Sequence, residues 1–466
     1  MGKENQGLSP RVCILMAIGG MVGSSIFTLS GVTYGMAGPG AILTWLAAAV
    51  VLLLYSLNIA ELATIYPQSG GIYVYPSKVV GKTTFQRDLA GWLASWSWLN
   101  VTVFGTAFSA ICLATYLQEF LAFIKDSRAM QYIIPLVWLL FVWFINALNI
   151  NKFGKIHNTL TYTLMFVISI YIVLGLINGS VANIKPFISG TMGGRGVLAG
   201  IPIAMLAYGS VMSVATYAGE IRDPRRNVPK IIGTALSIVA TVYALILLST
   251  FLMAPVGDFL ENPGRQYFPL AYALGSSIGG KSFAWITNIV PIAALLALTT
   301  NMSIMVLGAS RIVQTTALSG YLPRKLGEVH PKTKTPVWAL TAVAVVAALL
   351  TLKPDLIWLI INTGSICSAI TVAIIAITLI TLRYKQRKGE IKERGVFQVP
   401  FGILFPVITL VVVATTVTYL FMGDGGLTSL YLTLGWYALG MAIFLIRFYT
   451  NKKKGLVATE EVDKGE

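Results

Sequence analysis

The 466-residue chain predicts an all-α polytopic membrane protein of about twelve transmembrane helices, two of them broken in their middles. Three observations predict it. Hydrophobic residues make up 56 % of the chain and charged residues 11 %, with a mean hydropathy of +0.76. A soluble domain carries about 25 % charged residues. Stretches of roughly 20 mainly apolar residues, the length that crosses a bilayer, recur at 11–36, 41–65, 89–117, 132–150, 156–178, 198–218, 229–253, 283–312, 336–352, 355–382, 400–421 and 428–448. Finally, 27 of the 34 Lys and Arg residues fall in the tails and alternate short loops of one side, and seven on the other. That asymmetry is the positive-inside pattern, and it predicts both termini in the cytoplasm, in a multi-pass protein of the cell membrane. The net charge of +16 is therefore a topology signal and points to no nucleic acid partner.

The first segment, from Arg11 to Met36, is too long and too rich in mid-segment glycine for a signal peptide, so it reads as a retained span. Within it, Gly19, Gly20, Gly23, Ser24 and Ser25 interrupt the apolar run from Ala17 to Phe27. Gly31 to Gly35 reads instead as close small-residue packing. The second span ends on Glu61, less than two turns before Pro67, where a buried charge calls for a partner. Lys78 or Arg222 is the expected partner, holding an inward gate. The third span carries Asn100 beside Trp96 and Trp98, a candidate for lining the same cavity, and ends near Glu119, expected at a wetted outer edge. The sixth is interrupted between Ala204 and Ser213 by Tyr208, Gly209 and Ser210. Phe268 to Gly280 reads as an external hairpin loop or short helices before the eighth span. That span carries Thr299, Thr300, Asn301 and Ser303. The polar tail after Asn451, with Lys452 to Lys454, reads as an ordinary positive-inside anchor.

Backbone leaves a helix at membrane depth only where protein or a water-filled cavity takes over its hydrogen bonds, and Gly and Ser make the departure easier. Paired breaks in two halves of a chain are the best sequence pointer to a transporter's binding site. A half-helix that starts after a break offers free N–H groups and a positive dipole end to a carboxylate. One that ends before a break offers carbonyls to an ammonium group or a cation. The expected carboxylate donors are Ser24, Ser25 and the backbone at Gly23; the expected ammonium acceptors are carbonyls near Met21 and Gly209. Two facing breaks grip an amino acid or amine without a charged side chain, which fits the scarcity of ionisable residues in the spans. Tyr208 is read as either a gate over the cargo or a packing aromatic. Oxygens of Thr299, Thr300, Asn301 and Ser303, with carbonyls near Gly20 and Gly23, form a candidate sodium site; hydroxyls bonding neighbouring helices are the plainer reading.

Cys13, Cys112 and Cys367 sit in separate apolar segments with no metal or disulfide spacing, and His157 and His330 show no catalytic partner. No cofactor is implied. There is no HExxH, no GxSxG elbow and no pair of intramembrane carboxylates to support an intramembrane enzyme. Asn178-Gly179-Ser180 is a glycosylation sequon, meaningful only in a eukaryotic host.

The run Ile18-Gly19-Gly20-Met21-Val22-Gly23-Ser24-Ser25-Ile26-Phe27 resembles the glycine-rich signature of the amino acid–polyamine–organocation (APC) transporter superfamily. Ala37-Gly38-Pro39-Gly40-Ala41, Ala60-Glu61-Leu62-Ala63 with Pro67, and Gly70-Gly71-Ile72-Tyr73-Val74-Tyr75 follow as they do there. Gly219-Glu220-Ile221-Arg222-Asp223-Pro224-Arg225-Arg226-Asn227-Val228-Pro229 is similar to the connector after the sixth span. Ala309-Ser310-Arg311, Gly320-Tyr321-Leu322-Pro323, Val329-His330-Pro331 and Thr335-Pro336 match the segment between spans eight and nine. The resemblance implies inverted five-helix repeats with discontinuous helices 1 and 6. On that reading residues 1–10 are a tail, 11–382 a ten-helix transport core, 383–450 two peripheral spans and 451–466 a second tail. It also implies transport of amino acids or related amines by alternating access, with a proton, sodium or an exchanged solute as the driver.

The chain departs from the pattern in places. Ser25 stands for the last glycine of the family's Gly-Ser-Gly. Leu206 stands where an aromatic is common, and Met212 where an acid is common. No lysine lies between Lys155 and Lys185, where some proton-coupled members carry one; Leu164 or Met165 takes that place. The missing acid favours neutral amino acids over polyamines or cationic amino acids, and the missing lysine argues against proton coupling by that route. A non-transporting sensor on the same fold is the remaining alternative.

Overall fold

Serine 9 starts the first span. Its hydroxyl accepts from the Val12 amide at 3.4 Å and Pro10 occupies the first helical position, so α1 (Pro10–Met21) begins with a side-chain cap and a residue that needs no amide partner. The computed structural model describes residues 7–121, 124, 127–262, 265–266, 268–278, 288–422 and 426–454; within these, nothing is said of the side chains of Ser24, Glu119, Asp355, Ile357, Trp358, Ile361, 419–422 and Gly426. After α1 come α2 (Ser24–Ala37), α3 (Ala41–Ile65), α4 (Gly71–Val79), α5 (Thr84–Phe120), α6 (Met130–Ala147) and α7 (Ile150–Asn178). Next are α8 (Gly193–Ala199), α9 (Ile201–Met205), α10 (Pro224–Met253), α11 (Val256–Glu261), α12 (Pro269–Ile278) and α13 (Ile289–Leu318). The chain closes with α14 (Val337–Thr351), α15 (Ile357–Arg387), α16 (Leu404–Met422) and α17 (Gly426–Lys453). Among the described residues the only β-type contact is a single parallel bridge between Leu8 and Ile221.

Among the described residues helix covers most of each predicted span; 198–218 is broken between α9 and a 3-10 turn, and 283–287 lies outside the described residues. Nine stretches of the described residues are long and apolar enough to cross a membrane, with Ser25–Ile65 counting as one; Pro10–Met21, Val337–Thr351 and Leu404–Thr418 are shorter apolar helices. The segment from Phe268 contains the short helix α12, with α11 before it, and 279–287 lies outside the described residues.

Burial sorts the helices by role. In α5 and α13, 67 % of the most apolar window is buried inside the protein, against 28 % in α6 and 22 % in α17. The first pair forms the centre of the bundle, and the second pair presents apolar side chains outward, as a lipid-facing helix does. Trp96 of α5 and Trp436 of α17 stack at 4.5 Å, and each indole N–H donates to the other residue's carbonyl, at 2.8 and 3.1 Å. That reciprocal clamp docks the last helix on the core.

Candidate functional site

Both predicted breaks are present, and two side chains join them. Helix α1 stops at Met21, with the Val22 amide still donating to Ile18 at 2.9 Å. Gly23 then turns the chain in an extended conformation, and α2 restarts at Ser24 without a side-chain cap. The first amides of α2 have no intrahelical acceptor, so an uncapped, positive helix end faces the gap. In span six, α9 ends at Met205 and the chain tightens: the amides of Leu206, Ala207, Tyr208 and Gly209 each donate three residues back, at 3.3, 3.1, 3.1 and 3.4 Å. A 3-10 turn over Gly209–Ala215 follows.

Asn301 of α13 is the first brace. Its amide nitrogen donates to the Gly20 carbonyl at 2.5 Å and to Ser210 Oγ at 3.2 Å, while its Oδ1 accepts from Ser109 of α5 at 3.0 Å. One carboxamide thus ties together α1, α5 and the span-six turn. It also explains Gly23: a Cβ there would lie 2.8 Å from the carboxamide carbon and nitrogen of Asn301. Tyr243 of α10 is the second brace, its hydroxyl donating to Met21 O at 2.7 Å and, more weakly, to Ala207 O at 3.4 Å.

Beside these braces lies a cavity of about 500 Å³, within the range of small-molecule sites. Met21, Ser25, Leu206, Gly209, Ser210 and Asn301, all singled out from sequence, line it with side chains of α5, α15 and α16. Among the described residues no charged or histidine side chain does. At one end, near Met36 and Ala199, the lining residues are half-buried; at the other, Tyr55, Trp98 and Ser213 are buried.

Past the buried end the protein is locked. Glu220 pairs with Arg311 at 2.5 Å, the Gly70 amide donates to Thr216 O at 2.8 Å, and Leu8 exchanges backbone bonds with Glu220 and Arg222. On the same side Tyr321 donates to Asp88 at 2.5 Å; burial, then the Asp88 carboxylate beside it, push the Tyr321 phenol well above its ordinary pKa.

Several expectations are corrected. Of the two readings of Tyr208 the packing aromatic fits its place: it is fully buried, lies outside the cavity lining, donates to Trp45 O at 3.1 Å and packs edge-on to Trp45 and Tyr243. Asn100 is fully buried but absent from the lining, because the cavity-facing stripe of α5 runs through Trp98, Thr102, Gly105 and Ser109, and position 100 projects from the opposite side. The Met21 carbonyl, expected to be open to an ammonium group, is taken by Tyr243, and the Gly20 carbonyl by Asn301.

In the candidate ion set, Thr299, Thr300 and Ser303 donate to carbonyls of their own helix at 2.6 to 3.0 Å and lie outside the lining. Thr299 also accepts from the Trp138 indole at 2.8 Å. Glu61 pairs with Arg383 at 2.6 Å, rather than with Lys78 or Arg222, and accepts from the Val399 amide at 2.6 Å. It therefore ties the end of α3 to the end of α15 and to the chain leading into α16. The side chains of Ser24 and Glu119 lie outside the described residues.

Among the described residues His157, for which the sequence shows no catalytic partner, has structural partners only. It is buried in the second turn of α7, its Nε2 3.2 Å from Thr300 O and its Nδ1 3.4 Å from Thr161 Oγ1, against Gly19 of α1. Ser109, Tyr243 and the Glu220–Arg311 pair escaped the sequence reading as site-forming groups. A lone tyrosine inside the apolar run 229–253 was the available signal for the second brace, since a buried phenol needs a partner.

Comparison with known proteins agrees with this geometry. The amino acid permease family model matches residues 8–445, and the chain belongs to that family, within the APC superfamily. The family is one of membrane permeases, not enzymes. A branched-chain amino acid permease of Lactococcus lactis subsp. cremoris is 26 % identical over 97 % of this chain and 96 % of its own length. Its Bacillus subtilis counterpart is 25 % identical over 80 % of each chain. The mouse cationic amino acid transporter 4 is 29 % identical over 80 % of this chain and 59 % of its own.

Proposed function

We propose that this permease carries neutral amino acids across the cell membrane by alternating access, with both termini in the cytoplasm. One observation carries the reading: an uncapped helix end opens onto a cavity of about 500 Å³ whose described lining residues include no charged side chain. The cargo's carboxylate binds the α2 end at Gly23, Ser24 and Ser25. Its ammonium group meets the span-six turn at Leu206, Gly209 and Ser210; the Leu206 carbonyl carries only a 3.4 Å bond and has capacity to spare. An uncharged, methionine-rich wall suits apolar side chains, which accords with the branched-chain permeases among the relatives. A cationic side chain or a polyamine would find no carboxylate there, although one relative is named for cationic amino acids.

The half-buried lining near Met36 and the locked end at Glu220–Arg311 support an arrangement open to one side only. The 27-to-7 distribution of Lys and Arg supports a cytoplasmic locked end. We read 11–382 as the transport core of ten helices in inverted repeats, and 383–450 as peripheral spans.

The test is counterflow in liposomes. Proteoliposomes preloaded with unlabelled leucine should accumulate labelled leucine, and should do so far better than with arginine or putrescine inside. Ser25→Leu should abolish exchange in folded protein, and Cys367→Ala should leave it near normal. Absence of exchange for every neutral amino acid tried, with folded protein, defeats the proposal. Imposed sodium and proton gradients then separate a coupling ion from plain exchange.

A further inference from the structure

The buried end of the cavity carries polar atoms that nothing in the described protein satisfies. Tyr55 of α3, Trp98 of α5 and Ser213 of the span-six turn all line the cavity, and each is 3 % exposed or less. The Tyr55 hydroxyl, the Trp98 indole nitrogen and the Ser213 hydroxyl have no hydrogen-bond partner among the described residues. Native proteins pair buried polar atoms almost without exception, so three unpaired ones around a single cavity call for an occupant.

Their chemistry narrows it. Each is the lining residue of its own span nearest the Glu220–Arg311 lock, so together they make a floor beneath the breaks. The indole N–H can only donate, whereas each hydroxyl can donate or accept, so the floor suits an acceptor with two lone pairs, one for the indole and one for a hydroxyl, beside a donor for the other hydroxyl, which is the pattern of a primary amide. Among the described residues the lining has no Lys, Arg or His to balance a second carboxylate, which favours an uncharged acceptor. Depth narrows it further. Ser210, bonded to Asn301 at the break, and Ser213 are separated by one 3-10 turn, about 6 Å. That is the reach of a glutamine side-chain amide from a backbone held at the breaks, and beyond that of a serine hydroxyl. Met305, Met212 and Phe104 in the walls suit an apolar side chain or the methylene stem of a polar one.

We propose that Tyr55, Trp98 and Ser213 form a side-chain subsite for the primary amide of a glutamine-like neutral amino acid, a reading that rests on the transport function above. Leucine fills the same walls without engaging the floor, and the protein exchanges both.

Competition for labelled leucine counterflow tests this with unlabelled glutamine, its near-isostere methionine, and leucine itself. In the wild type, glutamine should compete at least as well as methionine. In Tyr55→Phe and Trp98→Phe the ratio of glutamine to leucine inhibition constants should rise about tenfold, the loss of one hydrogen bond to a buried partner. Ser213→Ala, the smallest change of the three, repeats the measurement if either ring variant fails to fold. Glutamine that does not compete in the wild type, while leucine exchanges, overturns the subsite and spares the transporter. Variants that weaken glutamine and leucine equally also overturn it, and assign the floor to bound water or to packing. Absence of leucine exchange in the wild type removes the transport reading, and this one with it.

Discussion

The two breaks solve the same problem differently. In span one the helix is severed: α1 ends, two residues intervene, and α2 restarts uncapped. In span six the helix is tightened: almost every amide through Val211 still donates three residues back, and the chain passes into a 3-10 turn. A severed helix exposes a full positive end but leaves carbonyls to be satisfied, and Asn301 and Tyr243 supply those bonds from outside. A tightened helix keeps its own bonds at lengths up to 3.4 Å, so its carbonyls are engaged but weakly. The first break is thus a fixed anion seat with external supports. The second is a softer partner, able to exchange a long internal bond for one to the cargo.

If that contrast is right, changes at the first break should hurt far more than changes at the second. Gly23→Val is the severest. Even a Cβ would meet Asn301 at 2.8 Å, and the carboxamide is pinned on three sides, so neither can give way. Overpacking of this kind costs about 1–3 kcal/mol of stability. Counterflow should fall more than about 100-fold, since α2 can no longer sit at the carboxylate. Transport within a few-fold of wild type would show that the break tolerates bulk and is no fixed seat. Asn301→Asp comes next and separates bonding from shape. An ionised carboxylate there faces the Gly20 carbonyl with no proton to donate and keeps only the bond it accepts from Ser109, so exchange at neutral pH should drop about 50-fold, close to the loss of the two bonds that the amide nitrogen donates. Once the pH falls through the pKa of the introduced acid, the protonated group donates again and exchange should partly return. Asn301→Leu should be inactive at every pH. An Asp variant that follows the wild-type pH profile would reduce Asn301 to a packing residue.

Much of this was legible in the sequence. The spans and both breaks were readable, because membrane helices depend on local composition and a Gly-Ser run inside an apolar stretch has few uses; Asn301 stood out only as an oxygen for an ion, not as a brace. The partners were not. Glu61 visibly required a base, but its cation comes from Arg383, 322 residues away, and depends on how α3 meets α15. Tyr208 lies in the broken stretch and still points away from the cavity, since the i→i+3 winding of that turn rotates it toward Trp45. Asn100 missed the lining because helix phase, which propensity does not reveal, sets it opposite Trp98 and Thr102. Type and depth were local properties; facing direction and partner were set by tertiary packing.

The second brace offers a graded test of the same contrast. Tyr243→Phe keeps the ring against Trp45 and Tyr208 and removes only the hydroxyl. The Met21 carbonyl then loses a 2.7 Å bond while Ala207 loses one of 3.4 Å, so the damage falls mainly on the severed helix. Exchange should fall about tenfold and thermal stability by roughly 1 to 2 kcal/mol. Ser210→Ala should do least. Asn301 keeps its bonds to Gly20 and Ser109 and gives up only the 3.2 Å contact, and the 3-10 turn around Ser210 is held by its own backbone. A loss of about threefold, visible as a weaker apparent affinity at unchanged maximal rate, is what a soft partner predicts. If Ser210→Ala proved as damaging as Asn301→Asp, the span-six hydroxyl would itself be gripping the cargo, and the division into a rigid seat and a yielding one would have to be reversed.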